Sequence, residues 1–381
     1  MNSPQKILIQ LVGAQAQPNV ICAKAINPDT LINLYTAKTL IQKSNIETFC
    51  RKKYPQVTLD SVQMEDFPSV KETFDTCLSL IESHAGSTIY INYTGGTKPM
   101  SIGAFLVDLK KKVELLYVDG TEIKKGITLQ PWEKVSLSLE EILLAAGKKI
   151  KKKNLSEAEI EIAQEIKRQK ARSSYWFFSL YEKEAILKQA SKENSEEFKN
   201  KLKKYETKIT REAERNEYRN LVNLLEKHGW LVRDGEQLRF HASSFKELQS
   251  QNNFVSGAWW EAILVSELRK ILPESEVYWS IFCDSLEDDI VLAIDGRFYL
   301  ISCKTGNANQ KYSFTKEFRR IKDRARDLGG INGTAVLAYY GDASNIAQNV
   351  RKEAEKLKIP IIEKEDLFSP ETLLEKIRFF G

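Results

Sequence analysis

From Asp289 to Lys304, an acid and a lysine stand at the outer ends of two apolar runs joined by Asp295-Gly296. An Asp-Gly pair between apolar runs is a hairpin signal. Folding the runs together brings Asp289 towards Lys304, so a metal-binding carboxylate and an ammonium converge on one phosphate. That is the chemistry of phosphodiester hydrolysis. Just upstream, Ser256 to Leu268 reads as an amphipathic helix in which Trp260, Ile263, Leu264 and Leu268 recur at helical spacing. Glu261 sits beside that stripe, near the face the helix must bury.

A second constellation lies in the first half of the chain. The strand-like run Ser87 to Tyr93 leads into Thr94-Gly95-Gly96-Thr97-Lys98-Pro99-Met100, where two glycines open a helix at the carboxyl end of a strand. Glycines let backbone amides approach an anion, a helix N-terminus favours negative charge, and Thr94, Thr97 and Lys98 add donors. The segment reads as a phosphate or nucleotide cradle. It has neither the Walker A spacing nor the G-x-G-x-x-G fingerprint.

The C-terminal residues carry a specific resemblance. Gly257-x-Trp259-x-Glu261 on a helix, Glu287-Asp288-Asp289 opening a strand and Ser302-Cys303-Lys304 closing the next are similar to the PD-(D/E)XK nuclease superfamily. The resemblance implies that Glu261 and Asp289 hold Mg²⁺ or Mn²⁺, with Glu287 and the Cys303 carbonyl beside them, and that Lys304 orients or activates the attacking water. One position departs from the pattern. The family has Glu or Asp two residues before the lysine, and this chain has Ser302; a hydroxyl is a weaker ligand than a carboxylate, so either Glu261 and Glu287 supply the charge or the domain cuts poorly.

Asn92 to Met100 resembles the ligand-binding signature of CARF domains, the sensors of cyclic oligoadenylate in type III CRISPR immunity. The likeness continues through Val113 to Gly120 and Leu139 to Leu143. It implies a Rossmann-like fold that forms a homodimer, with cyclic tetraadenylate across the two-fold axis. The residues so placed against the ligand are Gly13, Ala14, Gln15 and Gln17 after the first strand, Thr36, and Asn92, Thr94, Gly95, Gly96, Thr97, Lys98 and Met100.

The elements that must position these residues follow from the pattern of runs. Lys6 to about Gly147 alternates strand-like and helical segments, as in an open α/β sheet: strands at 7–12, 30–36, 56–59 and 87–93, and helices from Val20, through Arg51 and over 70–83. The basic run Lys148 to Asn154 marks a domain boundary, as either a solvated linker or a phosphate-holding patch. Charged helical stretches at 155–169 and 193–225 bridge the two ends of the chain, and 224–240 reads as a helix followed by a hairpin of winged-helix type. Beyond Lys304, the basic helix 315–326 and the strand 334–340 complete an α/β nuclease core. On that helix Arg319, Lys322 and Arg326 share a face suited to a nucleic-acid backbone, and Tyr312 and Phe314 could stack on an unpaired base or belong to the core. The expected architecture is therefore α/β: a CARF-like sensor at 1–147, a helical, winged-helix-like connector at 148–250, and a PD-(D/E)XK-like domain at 251–381.

Composition narrows the classes. With 381 residues, 42% apolar and 29% charged, the chain suits a globular protein of two or three cores. The net charge of +5 decides little, because Lys and Arg number 57 against 52 Asp and Glu. Five scattered cysteines without C-x-x-C spacing and three histidines argue against a zinc site and a disulfide framework. No apolar segment is long enough to span a bilayer and no cleavable signal opens the chain, so a cytoplasmic protein without membrane partners is expected. The reading is a ligand-activated, metal-dependent endonuclease acting on DNA, RNA or both. Two alternatives stay open: a ligand-gated nucleic-acid-binding regulator with an inactive nuclease fold, and a restriction- or repair-type nuclease with another nucleotide ligand.

Overall fold

In the computed structural model, residues 4–168, 219–235, 237–241, 247, 250–251, 253–283, 286–305, 314–340, 346 and 348–378 are described. The N-terminal part runs β1 (Lys6–Leu11), α1 (Gln17–Ile26), β2 (Thr30–Tyr35), α2 (Leu40–Lys53), β3 (Thr58–Gln63), α3 (Val70–Ser83), β4 (Thr88–Asn92), α4 (Lys98–Leu106), β5 (Glu114–Asp119), β6 (Glu122–Lys125), β7 (Gln130–Lys134) and α5 (Leu139–Ala145). Its seven strands lie in the order β3-β2-β1-β4-β5-β6-β7. The first five are parallel and the last two turn back antiparallel. Parallel strands are covered on both faces and need apolar residues in succession rather than alternation. Accordingly Ile7, Leu8, Ile9 and Leu11 of β1 are all fully buried.

The second sheet has the order β15-β14-β13-β12-β11-β8. Its members are β8 (Ile150–Lys153), β11 (Val277–Cys283), β12 (Leu286–Ile294), β13 (Arg297–Thr305), β14 (Gly333–Tyr340) and β15 (Ile361–Glu363). Around it stand α6 (Glu157–Arg168), α7 (Arg219–Lys227), α8 (Trp259–Leu268), α9 (Phe314–Gly329), α10 (Gln348–Leu357) and α11 (Pro370–Arg378). The hairpin of β9 (Leu231–Asp234) and β10 (Gln237–Phe240) follows α7, in line with the helix-then-hairpin expectation. The β12–β13 turn has positive φ at both Asp295 and Gly296, the left-handed pair that an Asp-Gly turn supplies.

Two parts of the expected connector belong to the second sheet's unit. The lysine run at 148–154 is not only a boundary: residues 150–153 pair antiparallel with β11 as the edge strand. Lysines suit a sheet edge, where charge discourages pairing with another chain. In α6, Ile162, Ala163 and Ile166 share a core with Trp260, Ile263 and Leu264. Most of the expected helical stretch at 193–225 lies outside the described residues.

The two sheets also share a core. Val20, Ile142 and Leu143 from the N-terminal unit cluster with Tyr278, Val291, Phe318 and Ile321 from the second. Polar ties cross the same junction: Leu139 N donates to Glu276 Oε2 at 3.0 Å, and Lys148 pairs with Asp327 at 3.1 Å. No described helix is long and apolar enough to cross a membrane.

Candidate active site and sensor cradle

The strand order places the cradle. Between β1 and β4 the sheet changes winding direction, and in open α/β sheets ligands bind outside the carboxyl ends of the strands at such a switch point. The loop after β1 and the Thr94–Lys98 loop after β4 meet there. Their backbones touch: a Cβ on Gly13 would lie 3.1 Å from Gly96 N, and one on Gly95 would overlap the Leu11 carbonyl. Gly96 has φ +75°, so its conformation also calls for glycine. Asn92, fully buried, accepts from Thr94 N at 3.1 Å and Thr94 Oγ1 at 2.7 Å, and Thr94 Oγ1 accepts from Val118 N at 2.8 Å. Thr97 caps α4, its hydroxyl accepting from Met100 N at 3.4 Å while Met100 Sδ accepts from Thr97 N at 3.5 Å. Lys98 stands exposed at the helix start. The loop is thus braced from behind with its cation outward.

Not every expected ligand residue joins this cradle. Ala14 is exposed at its rim, whereas Thr36 is buried at the end of β2 and takes part in a capping box with Thr39. Gln15 and Gln17 turn towards the second unit. Gln15 Oε1 accepts from Ile331 N at 2.9 Å, and Gln17 packs on Gly330.

In the second unit, Glu261 on α8, Asp289 and Glu287 on β12 and Cys303 on β13 line one cleft of about 610 Å³. Trp279 Nε1 donates to Glu261 Oε2 at 2.9 Å, and Ser280 Oγ donates to Glu287 Oε1 at 2.5 Å. Asp289 Oδ2 accepts from Cys303 N at 2.6 Å and lies 3.3 Å from Ser302 Oγ. Lys304 Nζ stands 4.0 Å from Asp289 Oδ2. The hairpin does bring acid and lysine together.

Sequence reasoning missed one carboxylate. Glu317, in the first turn of α9, accepts from Ser302 Oγ at 2.9 Å and lies 3.3 Å from Lys304 Nζ, so an acid reaches the Ser302 position from another element. The only signal in the sequence was an acid among the cations of a basic helix. Arg320 binds Glu317 through two hydrogen bonds of 2.9 and 2.7 Å.

Electrostatics divide these acids. Burial, reinforced by the charge of Asp289, pushes Glu261 up to about 8. Burial also raises Asp289, against the pull of Lys304 and the Cys303 amide. Glu317 is half-buried, which alone would raise it, yet hydrogen bonds from Arg320 and Ser302 and the Lys304 charge bring it down to about 2. Lys304 rises because Asp289 and Glu317 outweigh its own burial. Two acids destabilised as anions beside an open cleft form an oxygen donor set that suits a hard divalent cation. Among the described residues no three acidic, histidine or cysteine side chains are grouped so as to hold a metal ion. Mg²⁺ is commonly held by only one or two carboxylates, the remainder being water or substrate phosphate.

The basic helix is largely structural on the face that meets the sheet. Arg324, 9% exposed, binds Asp288 at 2.7 Å and the Cys283 carbonyl at 3.2 Å. Arg319, Lys322 and Arg326 lie on the opposite side, by the roughly 100° turn per residue of a helix. None of the three lines the cleft, and Lys322 Nζ donates to Leu357 O at 3.0 Å. Phe314 is core, packed edge-on against Tyr339, and Tyr312 lies outside the described residues.

Comparison with known proteins bears on both units. Residues 7–138 match the Card1 CARF domain. No curated protein matches the chain in sequence. Among solved structures, Can2 from Sulfobacillus thermosulfidooxidans in complex with cyclic tetra-adenylate superposes with a TM-score of 0.70 at 19% identity, covering 98% of this chain and 99% of that one. Protein VC1899 from Vibrio cholerae gives 0.75 at 13% identity, with 99% of each chain covered. A type III CRISPR defence DNA nuclease activated by cyclic oligoadenylate gives 0.52 at 16% identity, covering 90% of this chain and 46% of that one. The likeness to Can2 and VC1899 is one of fold from end to end.

Proposed function

We propose that the protein is a nuclease of type III CRISPR defence switched on by cyclic tetraadenylate. A homodimer of the N-terminal units binds the activator, and the PD-(D/E)XK-like second unit hydrolyses phosphodiesters in DNA, RNA or both. The observation that carries this reading is the convergence of Glu261 and Asp289 on one cleft, with Lys304 standing between Asp289 and Glu317, in a chain whose first unit matches a CARF domain. The end-to-end likeness to Can2, solved with cyclic tetra-adenylate, supports the ligand.

In this mechanism Glu261 and Asp289 would hold Mg²⁺ or Mn²⁺, with Glu287 and the Cys303 carbonyl at its margin. The ion would supply positive charge to the scissile phosphate. Trp279 fixes the Glu261 carboxylate by its indole hydrogen bond. Lys304, held between Asp289 and Glu317, presents a protonated amine to the charge that develops on the phosphorane and orients the attacking water. Ser302 links the two acids by donating to Glu317 and lying within reach of Asp289. The inactive-fold reading rested on Ser302, and a carboxylate at that place favours the enzyme. The match to a CARF domain favours a cyclic oligoadenylate over another nucleotide. Incubation with Mn²⁺ and single-stranded DNA, supercoiled DNA or RNA, with and without each cyclic oligoadenylate, tests the proposal. Cleavage stimulated by cyclic tetraadenylate is expected, and absence of cleavage with every substrate and ligand would overturn it.

A further inference from the structure

Two adjacent strands change their facing at one level of the second sheet. In a regular strand, residues two apart share a face. Trp279 packs into the core under α8, but Ile281 packs into the core shared with the N-terminal unit. The same slip occurs opposite, where Ile290 lies with Trp279 while Asp288 reaches Arg324 on α9. Ser280 stands at the slip in β11. It has φ +44°, a left-handed conformation uncommon for a residue with a side chain, and the register with β8 shifts between Trp279 and Ile281. Such bulges re-aim side chains, often next to active sites.

The side chain re-aimed here is Phe282. It turns to the Trp279 face, lines the same cleft as Glu261 and Asp289, and is 42% exposed in a sheet whose other aromatics are buried, or half-buried in the case of Tyr340. Its cross-strand neighbours are Glu287 on one side and Lys151 on the other. Lys153, from the same edge strand, lines the cleft as well and is paired with Glu159 at 2.9 Å, a contact it would have to share with a phosphate. An exposed aromatic ring, edged by lysines and beside a phosphate-cleaving site, has the chemistry of a base platform with backbone-tracking cations.

We propose that Phe282 is a subsite that stacks on an unpaired nucleobase next to the scissile phosphate, with Lys151 and Lys153 on the adjoining phosphates. The proposal rests on the nuclease reading and names the part of the substrate that the cleft grips. A duplex would have to open one base to use it.

The test is a binding experiment on the full-length protein with cyclic tetraadenylate and Ca²⁺, using labelled single strands in which an abasic residue is moved one position at a time. In the parent, one position should weaken affinity roughly 5- to 100-fold, the range of a lost stack. Phe282→Ala should weaken the intact strand to a similar extent and abolish the penalty at that position, whereas Phe282→Trp should retain it. Equal abasic profiles in parent and Phe282→Ala would overturn the proposal. So would a Phe282→Ala protein that sediments as monomer where the parent is dimer, since a second copy would then cover the ring. Binding is read apart from cleavage, so a parent that binds with this profile yet cuts nothing would sink the nuclease reading and leave the stacking site standing.

Discussion

Glu317 holds a lysine, an arginine and a hydroxyl at once, and this explains why its carboxyl remains ionised in a half-buried place. If it stands in for the acid missing at Ser302, then Glu317→Ala should lower ligand-stimulated turnover by roughly 10²-fold or more, as loss of an electrostatic partner at a reacting phosphate does. The double variant Ser302→Glu, Glu317→Ala should recover part of that loss in steady-state kinetics. No recovery in a folded double variant would mean that Glu317 acts only as a brace. Glu261 behaves oppositely. Its folded pKa of about 8 lies above the ordinary carboxylate value, so its contribution to stability is full below about pH 4.3 and is lost as pH rises through the folded value. Metal-free Glu261→Gln should therefore melt about 2–4 °C above the parent at pH 8 and show a smaller gain near pH 5. A scan in which the variant melts below the parent at pH 8 would mean that the carboxylate is compensated.

At the scale of elements, α4 gathers the N-terminal unit's candidate anion-binding groups: a capped N-terminus, two glycines that bring backbone close, and Lys98 facing out. Lys98→Ala should weaken cyclic tetraadenylate by roughly 10- to 150-fold, the value of one charge-assisted hydrogen bond of about 1.5–3 kcal/mol, with the fold intact. Unchanged calorimetric affinity would remove Lys98 from the site. The cradle and the β12–β13 hairpin were legible in the sequence because glycine and Asp-Gly state their backbone requirement locally. Glu317 was not, since it meets Ser302 only after α9 packs back on the sheet. Residues 150–153 gave no strand signal, reading as a boundary that is either linker or phosphate-holding patch, because a lysine-rich edge strand has little buried surface to leave a pattern. The basic character of the 315–326 helix overstates its free charge, because composition does not show the acids, Glu317 and Asp288, that neutralise Arg320 and Arg324 in space.

At the scale of the whole molecule, α9 links the two sites. Glu317 lies near its start, and its end abuts the loop after β1, where Ile331 N donates to Gln15 and Gly330 leaves no room for a side chain beside Gln17. A shift of that loop on ligand binding would bear directly on α9, which suits control by population shift. Gly330→Ala, strained at φ +64° and crowded by Gln17, should reduce the ratio of cleavage with and without ligand while cyclic tetraadenylate affinity stays within a few-fold of the parent. An unchanged ratio would place the coupling elsewhere in the shared core.

In the proposed function one chain senses with one sheet and cuts with the other. The most direct measurement compares the parent with Asp289→Ala for Mn²⁺-dependent cleavage of DNA and RNA, with and without cyclic tetraadenylate, alongside calorimetry of the ligand. The parent should cut when the ligand is present, and Asp289→Ala should bind the ligand with the parent's affinity but leave both substrates intact. Ligand-stimulated cleavage by Asp289→Ala at the parent's rate would contradict the proposed function.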